Sequence, residues 1–416
     1  MKNISFNFFS NDLLSGFISR SFIVLVNQLS MLIALTYILY KLDLNSFGYL
    51  SIAMIIIQVS CAISDWGFNY YSINYFNKEK KKKIDIFVSD IFFCKVFLIV
   101  VQVVILIILI FFFDVLESQN HNFFSVLIFS IIGAGLSPLW YFQAKDSVSK
   151  LHLPTFISRV LYLGLVFFGL NFGFGIDWII FAQGTSFFLI SFFGIYQAIR
   201  DGNYFFPSSI FRIIFHLKKA TPFFVTNAVN SYFHSIWGLV LIFFALPGQV
   251  ALFNICDIVY RSLMHFVNIL PEVVITKLRK NSNSNRYRSL IVISIIVFIG
   301  YCIIVNNIDF IISFLPKNYY GISEILPYSL TSFLLIAISR IWAYPFIGII
   351  FGDRYVGKIY VLFAFVIIIM MLIFITINIY SAYLMSVFIL VNSLFFIFMI
   401  LYKPLINFFY FKKIIS

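Results

Sequence analysis

From Val96 to Phe113 the chain has one polar residue, Gln102. A segment this apolar is long enough, with a few flanking residues, to cross the ~30 Å hydrocarbon core of a bilayer as a helix. It has no counterpart in a water-soluble fold, where an all-round apolar helix must be hidden inside a larger core. Eleven further segments meet the same criterion. The twelve expected spans lie at about 17–40, 47–70, 86–113, 122–143, 153–173, 176–199, 221–245, 249–274, 289–306, 325–350, 356–379 and 381–402. Connections between them are short, which leaves no room for a sizeable soluble domain on either side. The first apolar run reads as a retained helix rather than a cleaved signal.

Composition agrees. Hydrophobic residues make up 62% of the 416 and charged residues only 11%, against about 25% charged in soluble domains. The formal net charge of +13 would suggest nucleic acid in a soluble protein. Here the cations sit in loops between apolar runs, so membrane topology explains them and no nucleic-acid partner is expected. With the N-terminus inside, 23 of the 29 Lys and Arg residues fall in inner segments and only Lys41 and Lys317 in outer ones. The chain is expected to cross the membrane many times, with both termini cytoplasmic. Cys61, Cys94, Cys256 and Cys302 lie in apolar runs without metal-ligand spacing, which speaks against a zinc site or a disulfide framework.

The longest inner loops follow spans 2, 6 and 8. A break after the sixth divides the chain into halves of six spans, residues 1–205 and 206–416, as transporters built from repeats are divided. Phe47-Gly48-Tyr49-Leu50 opens span 2 much as Val250-Ala251-Leu252-Phe253 opens span 8.

Ionisable residues inside spans are costly, ~2.5–3.5 kcal/mol each on insertion scales, and mark functional interiors. Span 8 carries Asn254, Asp257, Arg261, His265 and Asn268, which at 100° per residue fall within an arc of roughly 80°. Asp257 and Arg261 are i, i+4 neighbours able to pair. Span 7 has Asn227, Asn230 and His234; span 2 has Ser51, Gln58 and Asp65; span 3 has Lys95 and Gln102; span 1 has Arg20 and Asn27. These stripes predict a hydrated cavity between two six-helix lobes. The embedded cations Arg20, Lys95, Arg159, Arg261 and Arg340 exceed the embedded acids Asp65, Asp90 and Asp257. That balance suits an anionic cargo. A purely structural role, with Asp257–Arg261 as a packing pair and the asparagines as interhelical hydrogen bonds, is the competing account. His216, read as a loop residue, and His121 carry no signal. No Walker motif, HExxH or cluster of His and carboxylate ligands is present, so neither an enzyme nor a bound cofactor is expected.

Several segments resemble one family along the whole chain. They are Arg20 at the start of span 1, Leu44-Asn45-Ser46-Phe47-Gly48-Tyr49-Leu50 leading into span 2, and Asp65-Trp66-Gly67-Phe68 at its inner end. Pro138-Leu139-Trp140-Tyr141-Phe142-Gln143-Ala144-Lys145 ends span 4, Thr221-Pro222-Phe223 starts span 7, and Asn318-Tyr319-Tyr320-Gly321 precedes span 10. Together they resemble the Wzx-type polysaccharide exporters, or O-antigen flippases, of the MOP exporter superfamily.

The resemblance implies an all-α integral membrane protein of two six-helix lobes around a central cavity, working by alternating access. The implied cargo is an undecaprenyl-pyrophosphate-linked oligosaccharide for lipopolysaccharide biosynthesis. On this reading Arg261, Arg340, Lys95, Arg159 and Arg20 face the diphosphate and sugar head, and Asn227, Asn230 and Asn254 hydrogen-bond sugar hydroxyls. Asp257 and Asp65 are the coupling candidates, to H+ or Na+. Expected partners are the lipid-linked oligosaccharide, membrane lipids and other polysaccharide-assembly membrane proteins. The alternatives are a drug or cation antiporter of the same superfamily, which would favour embedded acids, a membrane polymerase or ligase, which would need roomier outer loops, and a scaffold without transport.

Overall fold

The computed structural model describes residues 11–76, 81–112, 121–203, 205–231, 233–278, 283–313, 315–343, 353–377 and 380–406. The chain is all-helical, with no strand among the described residues. Its first half comprises α1 (Asn11–Lys41), α2 (Leu44–Asp65), α3 (Phe68–Phe76), α4 (Lys81–Phe112), α5 (His121–Gly135), α6 (Leu139–Ala144), α7 (His152–Asn171) and α8 (Ile176–Arg200). The second half comprises α9 (Ile210–Ser231), α10 (Phe233–Phe244), α11 (Pro247–Leu278), α12 (Asn283–Asn306), α13 (Ile308–Ser313), α14 (Ile322–Trp342), α15 (Asp353–Ile377) and α16 (Ala382–Ile406).

Nine described segments are long and apolar enough to span a bilayer, and α10 and the stretch Leu290–Asn306 are shorter apolar helices. These eleven coincide with eleven of the twelve spans expected from sequence. The twelfth coincides with α11 (Pro247–Leu278), the most polar of the set, which carries Asp257, Arg261 and His265. Residue exposure explains how it is tolerated. α4 and α15 turn Val100, Val104, Ile105, Phe365, Ile368 and Leu372 outward, as lipid-facing surfaces do. From Val250 to Ile258, α11 is buried throughout, packed against α2, α14, α1, α10, α12 and α16. The most polar span is therefore the one wrapped by helices of both halves.

The long contact between α2 and α11 joins the halves, and it is closed at both ends. At one end α2 begins under an Asp43 cap, whose carboxylate accepts from the backbone N–H groups of Asn45 and Ser46 at 3.0 and 3.2 Å. Hydrogen bonding from Ser46 lowers the Asp43 pKa below the usual carboxylate value. One turn on, a Cβ on Gly48 would lie 2.3 Å from the Pro247 carbonyl oxygen at the start of α11. The start of α2 thus lies against the first residue of α11. Tyr319 closes the same end by donating to the Leu42 carbonyl at 3.0 Å.

At the other end the chain reverses hand. Trp66 and Gly67 take φ of 35° and 74°, so α2 stops and α3 leaves in a new direction. A Cβ on Gly67 would sit 2.5 Å from the Phe224 backbone nitrogen. Position 67 therefore requires glycine twice over, for its left-handed φ and for the close approach of α9. The Trp66 ring stacks on Phe224 at 4.3 Å, and its N–H donates to the Leu217 carbonyl at 3.2 Å.

Span 4, expected as one helix, is broken. Pro138 has no N–H and crowds the preceding turn, so α5 ends and the short α6 follows. Span 7 is preceded by helix where the sequence reading has a loop. Its first helix starts at Ile210, well before residue 221. The segment 344–350, expected as part of span 10, lies outside the described residues.

Gly48→Ala should lower the melting midpoint of the detergent-solubilised protein by several degrees, because a backbone carbonyl cannot rotate away and overpacking costs ~1–3 kcal/mol. Gly164→Ala, where nothing lies within 4 Å, is the control. Equal midpoints for the two variants would mean that α2 and α11 do not approach this closely.

Candidate functional site

The polar residues of α2, α10 and α11 meet on the seam between the halves. Asp257 is fully buried; Arg261, one turn further along α11, donates Nε–H to its Oδ2 at 2.9 Å. The i, i+4 pair expected from sequence is formed. Ser235 of α10 bridges the halves, since its hydroxyl reaches Gln58 Oε1 of α2 at 2.9 Å and Asp257 Oδ2 at 3.5 Å. His234 lies beside them with Nδ1 at 3.8 Å from Asp257 Oδ1, its ring stacked on Tyr260 at 3.8 Å. Ser262 donates to Gln28 Oε1 of α1 at 2.9 Å. Two of these bonds, Ser235 to Gln58 and Ser262 to Gln28, pair a residue of the second half with one of the first, so opening the seam exposes or re-pairs them.

Further along the seam the arginines gather. Arg159 of α7 donates Nε–H to Asn27 Oδ1 of α1 at 2.7 Å and lies over the Phe187 ring. Cys61 of α2 is within electrostatic reach of Asp65, Lys95, Arg159 and Arg261 together. His265 is likewise within reach of Arg261 and Arg340. Arg159 and Cys61 are half-buried and His265 is exposed, although all three lie deep among the helices. Part of each of these side chains is therefore left uncovered by its neighbours. Arg261 spends Nε on Asp257, while its buried Nη2 has no hydrogen-bond partner among the described residues. A planar fork with donors to spare is the geometry that receives phosphate oxygens.

Two expected cavity residues are committed elsewhere. Lys95 is 1% exposed; its ammonium donates to Asp65 Oδ1 at 2.7 Å and to the Ser137 carbonyl at 3.0 Å. That carbonyl lies at the break before Pro138, so the proline creates an acceptor that the lysine fills. Asp65 and Lys95 are brought together as an ion pair inside the first half, and neighbouring Gln102 binds Ser64 Oγ at 2.9 Å. Asn254 is fully buried, with Nδ2 3.8 Å from Met54 Sδ of α2. In this conformation it contributes to helix packing. Arg340 is buried on α14. Arg20, Asn227 and Asn230 fall on α1 and α9, and their side chains lie outside the described residues.

A second constellation closes the end of the bundle that carries the basic loops. His216, expected in a loop without significance, is instead buried in α9. Its Nε2 faces Asp90 Oδ2 of α4 at 3.3 Å, and Nδ1 meets the Tyr71 hydroxyl of α3 at 3.0 Å. A neutral ring satisfies both contacts, with Tyr71 donating to Nδ1 and Nε2–H donating to the carboxylate. Asp90 also receives the Ser208 hydroxyl at 2.5 Å, and Arg212 lies 3.5 Å away. Residues 206–217 are thereby latched onto the first half. The available sequence signal was the i, i+4 spacing of Arg212 and His216, which puts both on one face of α9, with Ser208 just before its start.

The Trp-Tyr-Phe-Gln segment of α6 is held in the same region. The Tyr141 hydroxyl donates to Asp201 Oδ2 at 3.0 Å and accepts from Asn203 Nδ2 at 2.7 Å. Lys145 and Lys150 converge on Asp201 at 3.3 and 3.2 Å. Burial would raise the Asp201 pKa, but hydrogen bonds from Lys150, Tyr141 and Lys145 outweigh it and hold the carboxyl at about 2. This segment is a structural clasp at the end of the first half, remote from the arginines.

The chain is thus a helical membrane protein whose two groups of helices meet on a polar seam. No family model matches the chain. It is 21% identical over 278 residues to the "Putative O-antigen transporter" of Escherichia coli (strain K12), an alignment covering 64% of this chain and 65% of that protein. Among solved structures, 95% of the chain superposes on 87% of the lipid II flippase MurJ in its inward closed conformation, with a TM-score of 0.68 and 15% identity. It also superposes over 95% of its length on 99% of an inward-facing multidrug resistance MATE family transporter of the MOP superfamily, with a TM-score of 0.65 and 12% identity. At such identities the structural likeness is one of fold. The sequence relative agrees with the resemblance to O-antigen exporters read from the sequence, and the solved structures agree with the fold that the resemblance implies.

Two predictions follow from the paired charges. Lys95→Met leaves Asp65 without its partner and should cost about 3–5 kcal/mol of stability. The double variant Asp65→Leu/Lys95→Met should regain most of that loss in a thermal melt; an additive loss would mean the two side chains do not interact. At the latch, burial is the leading cause that lowers the His216 pKa below 6.5, against the opposing pull of Asp90. The neutral ring's contribution is thus present above 6.5 and is lost as pH falls below it. Hydrogen exchange across 206–217 should quicken between pH 7.5 and 5.5 relative to α8, after correction for intrinsic rates. His216→Gln should flatten that difference, and an unchanged difference would show that His216 does not set it.

Proposed function

We propose that the protein moves an undecaprenyl-pyrophosphate-linked oligosaccharide, an O-antigen or similar repeat unit, from the cytoplasmic to the periplasmic leaflet of a bacterial inner membrane. The basic end of the bundle is cytoplasmic in this reading, and both termini lie there. The lobes 1–205 and 206–416 rock about the α2–α11 seam to expose the arginines alternately to either side.

One observation carries the proposal. Arg159 of the first half and Arg261 of the second both lie within electrostatic reach of Cys61 on the seam, where Asp257 is paired with Arg261 and Asp65 is already neutralised by Lys95. In a low-dielectric interior the positive charge that remains attracts a phosphate-bearing head, while the polyprenyl tail stays in the bilayer. A drug cation would be repelled by the same groups, which ranks the antiporter second. Asp257, beside the mobile arginine, is the first candidate for coupling to H+ or Na+. Asp65 is second, because Lys95 already neutralises it. Membrane lipids and other polysaccharide-assembly proteins are the partners this role would need.

The test is the leaflet location of lipid-linked oligosaccharide in a deletion strain, probed with an impermeant glycosidase. Single units should accumulate out of the enzyme's reach, facing the cytoplasm, and the intact gene should restore their crossing. Accumulation of single units on the periplasmic face would place the defect in polymerisation and overturn the proposal. Arg261→Ala and Asp257→Asn should each reduce crossing at least tenfold at normal protein levels, a loss of roughly 1.4 kcal/mol or more of useful interaction. Full export by both variants would remove them from the mechanism.

A further inference from the structure

The contacts around Asp257 leave one feature without a structural explanation. Asp257 Oδ1 and both ring nitrogens of His234 are buried without a hydrogen-bond partner among the described residues, although Nδ1 and Oδ1 face each other at 3.8 Å. Unpaired buried polar atoms cost ~1–3 kcal/mol each. A hydroxyl or amide on α10 in place of the imidazole would have relieved the cost. An imidazole facing a carboxylate just beyond hydrogen-bond distance is instead poised to take up one proton between them.

We propose that His234 and Asp257 form a single proton site whose occupancy is linked to the anionic head group through Arg261. In the described state Asp257 carries one negative charge, Arg261 one positive charge and His234 none, so the buried group is neutral. Asp257 Oδ2 and a phosphate oxygen compete for the same guanidinium. When the head group takes Arg261, the carboxylate is left in an apolar site facing an imidazole. Water then supplies a proton, which bonds to His234 Nδ1 or Asp257 Oδ1, and a hydroxide is left to the medium. The pair is again neutral, and the head group retains Arg261.

No other side chain described around the pair provides a competing carboxylate. On α11 the neighbours are Cys256, Tyr260, Arg261 and His265, and Arg340 of α14 acts on Tyr260 and His265. From α2 come Gln58 and Met54, with Cys61 and Asp65 further along the seam, and Asp65 is already bound to Lys95. α1 presents Gln28, and α16 carries Tyr383, the side chains of its Tyr402 and Lys403 lying outside the described residues. Ser235, which touches both Gln58 and Asp257, would carry the change of charge to the seam. Movement of Arg261 would therefore weaken a bond between the halves as cargo binds.

This inference rests on the anionic-cargo reading, and the experiment separates the two. The probe is farnesyl pyrophosphoryl-N-acetylglucosamine, a diester that does not itself titrate between pH 6 and 8. It is bound to the full chain in lipid nanodiscs and followed by calorimetry in buffers of different ionisation enthalpy. Wild-type protein should take up about one proton per probe bound, with affinity weakening as much as tenfold from pH 6.5 to 7.5. Asp257→Asn should bind without proton uptake or pH dependence. His234→Gln, which removes one of the proton's two seats, should shift the dependence to lower pH. Binding without proton uptake in the wild type, or uptake that survives Asp257→Asn, overturns the proton site and leaves the cargo reading standing. Failure of the wild type to bind the probe overturns both. Should Asp257→Asn not fold, His234→Gln decides alone, since an unchanged pH dependence excludes a shared site.

Discussion

A helix bearing Asp257, Arg261 and His265 has no stable place in hydrocarbon unless other helices surround it. The rest of the architecture follows from that constraint. α11 lies between the halves because only there can α1, α2, α10 and α14 all reach it. Its charges pair or face enclosed space, and the apolar sides of α4 and α15 take the lipid contact that α11 cannot. A transporter needs an interior that is polar yet shielded, and burying the most polar span at the interface of two bundles provides one.

The same constraint explains why the seam is held at its ends and uses exchangeable bonds in its middle. Close backbone approaches at Gly48 and Gly67, the Trp66 ring and the Tyr319 hydroxyl are short-range contacts that either exist or do not. Between them, Ser235, Ser262 and the guanidinium of Arg261 form single hydrogen bonds that can be traded for others as the halves part. Rigid rims with an adaptable middle suit a protein that passes between discrete states. The latch of Asp90, His216 and Tyr71 adds a titratable element at the basic end, and its ring is neutral when docked.

Embedded charges in this chain serve at least two purposes. Lys95 and Asp65 satisfy each other and the carbonyl freed before Pro138, which makes them part of the scaffold of the first half. Arg261 is only partly satisfied, and Arg159 keeps accessible surface beside Cys61, which makes them able to meet a ligand. Both kinds are cations in spans, and they differ only in what stands opposite.

Much of the fold was legible in the order of residues. Backbone groups in a bilayer must bond within their own helix, so apolar runs of sufficient length already specify helices, and among the described residues helices recur at all twelve expected places. The helical period placed Asp257 one turn from Arg261, because i, i+4 proximity is a local property. Partners across the chain were not legible. That Lys95 meets Asp65, that Arg159 meets Asn27, that Asn254 packs on Met54, and that His216 is buried against Asp90 depend on how separate helices are rotated and how closely they approach. Those choices are made by packing over the whole bundle, at contacts such as Gly48 on Pro247. Local periodicity says which face of a helix is polar, and only the tertiary structure decides what that face meets.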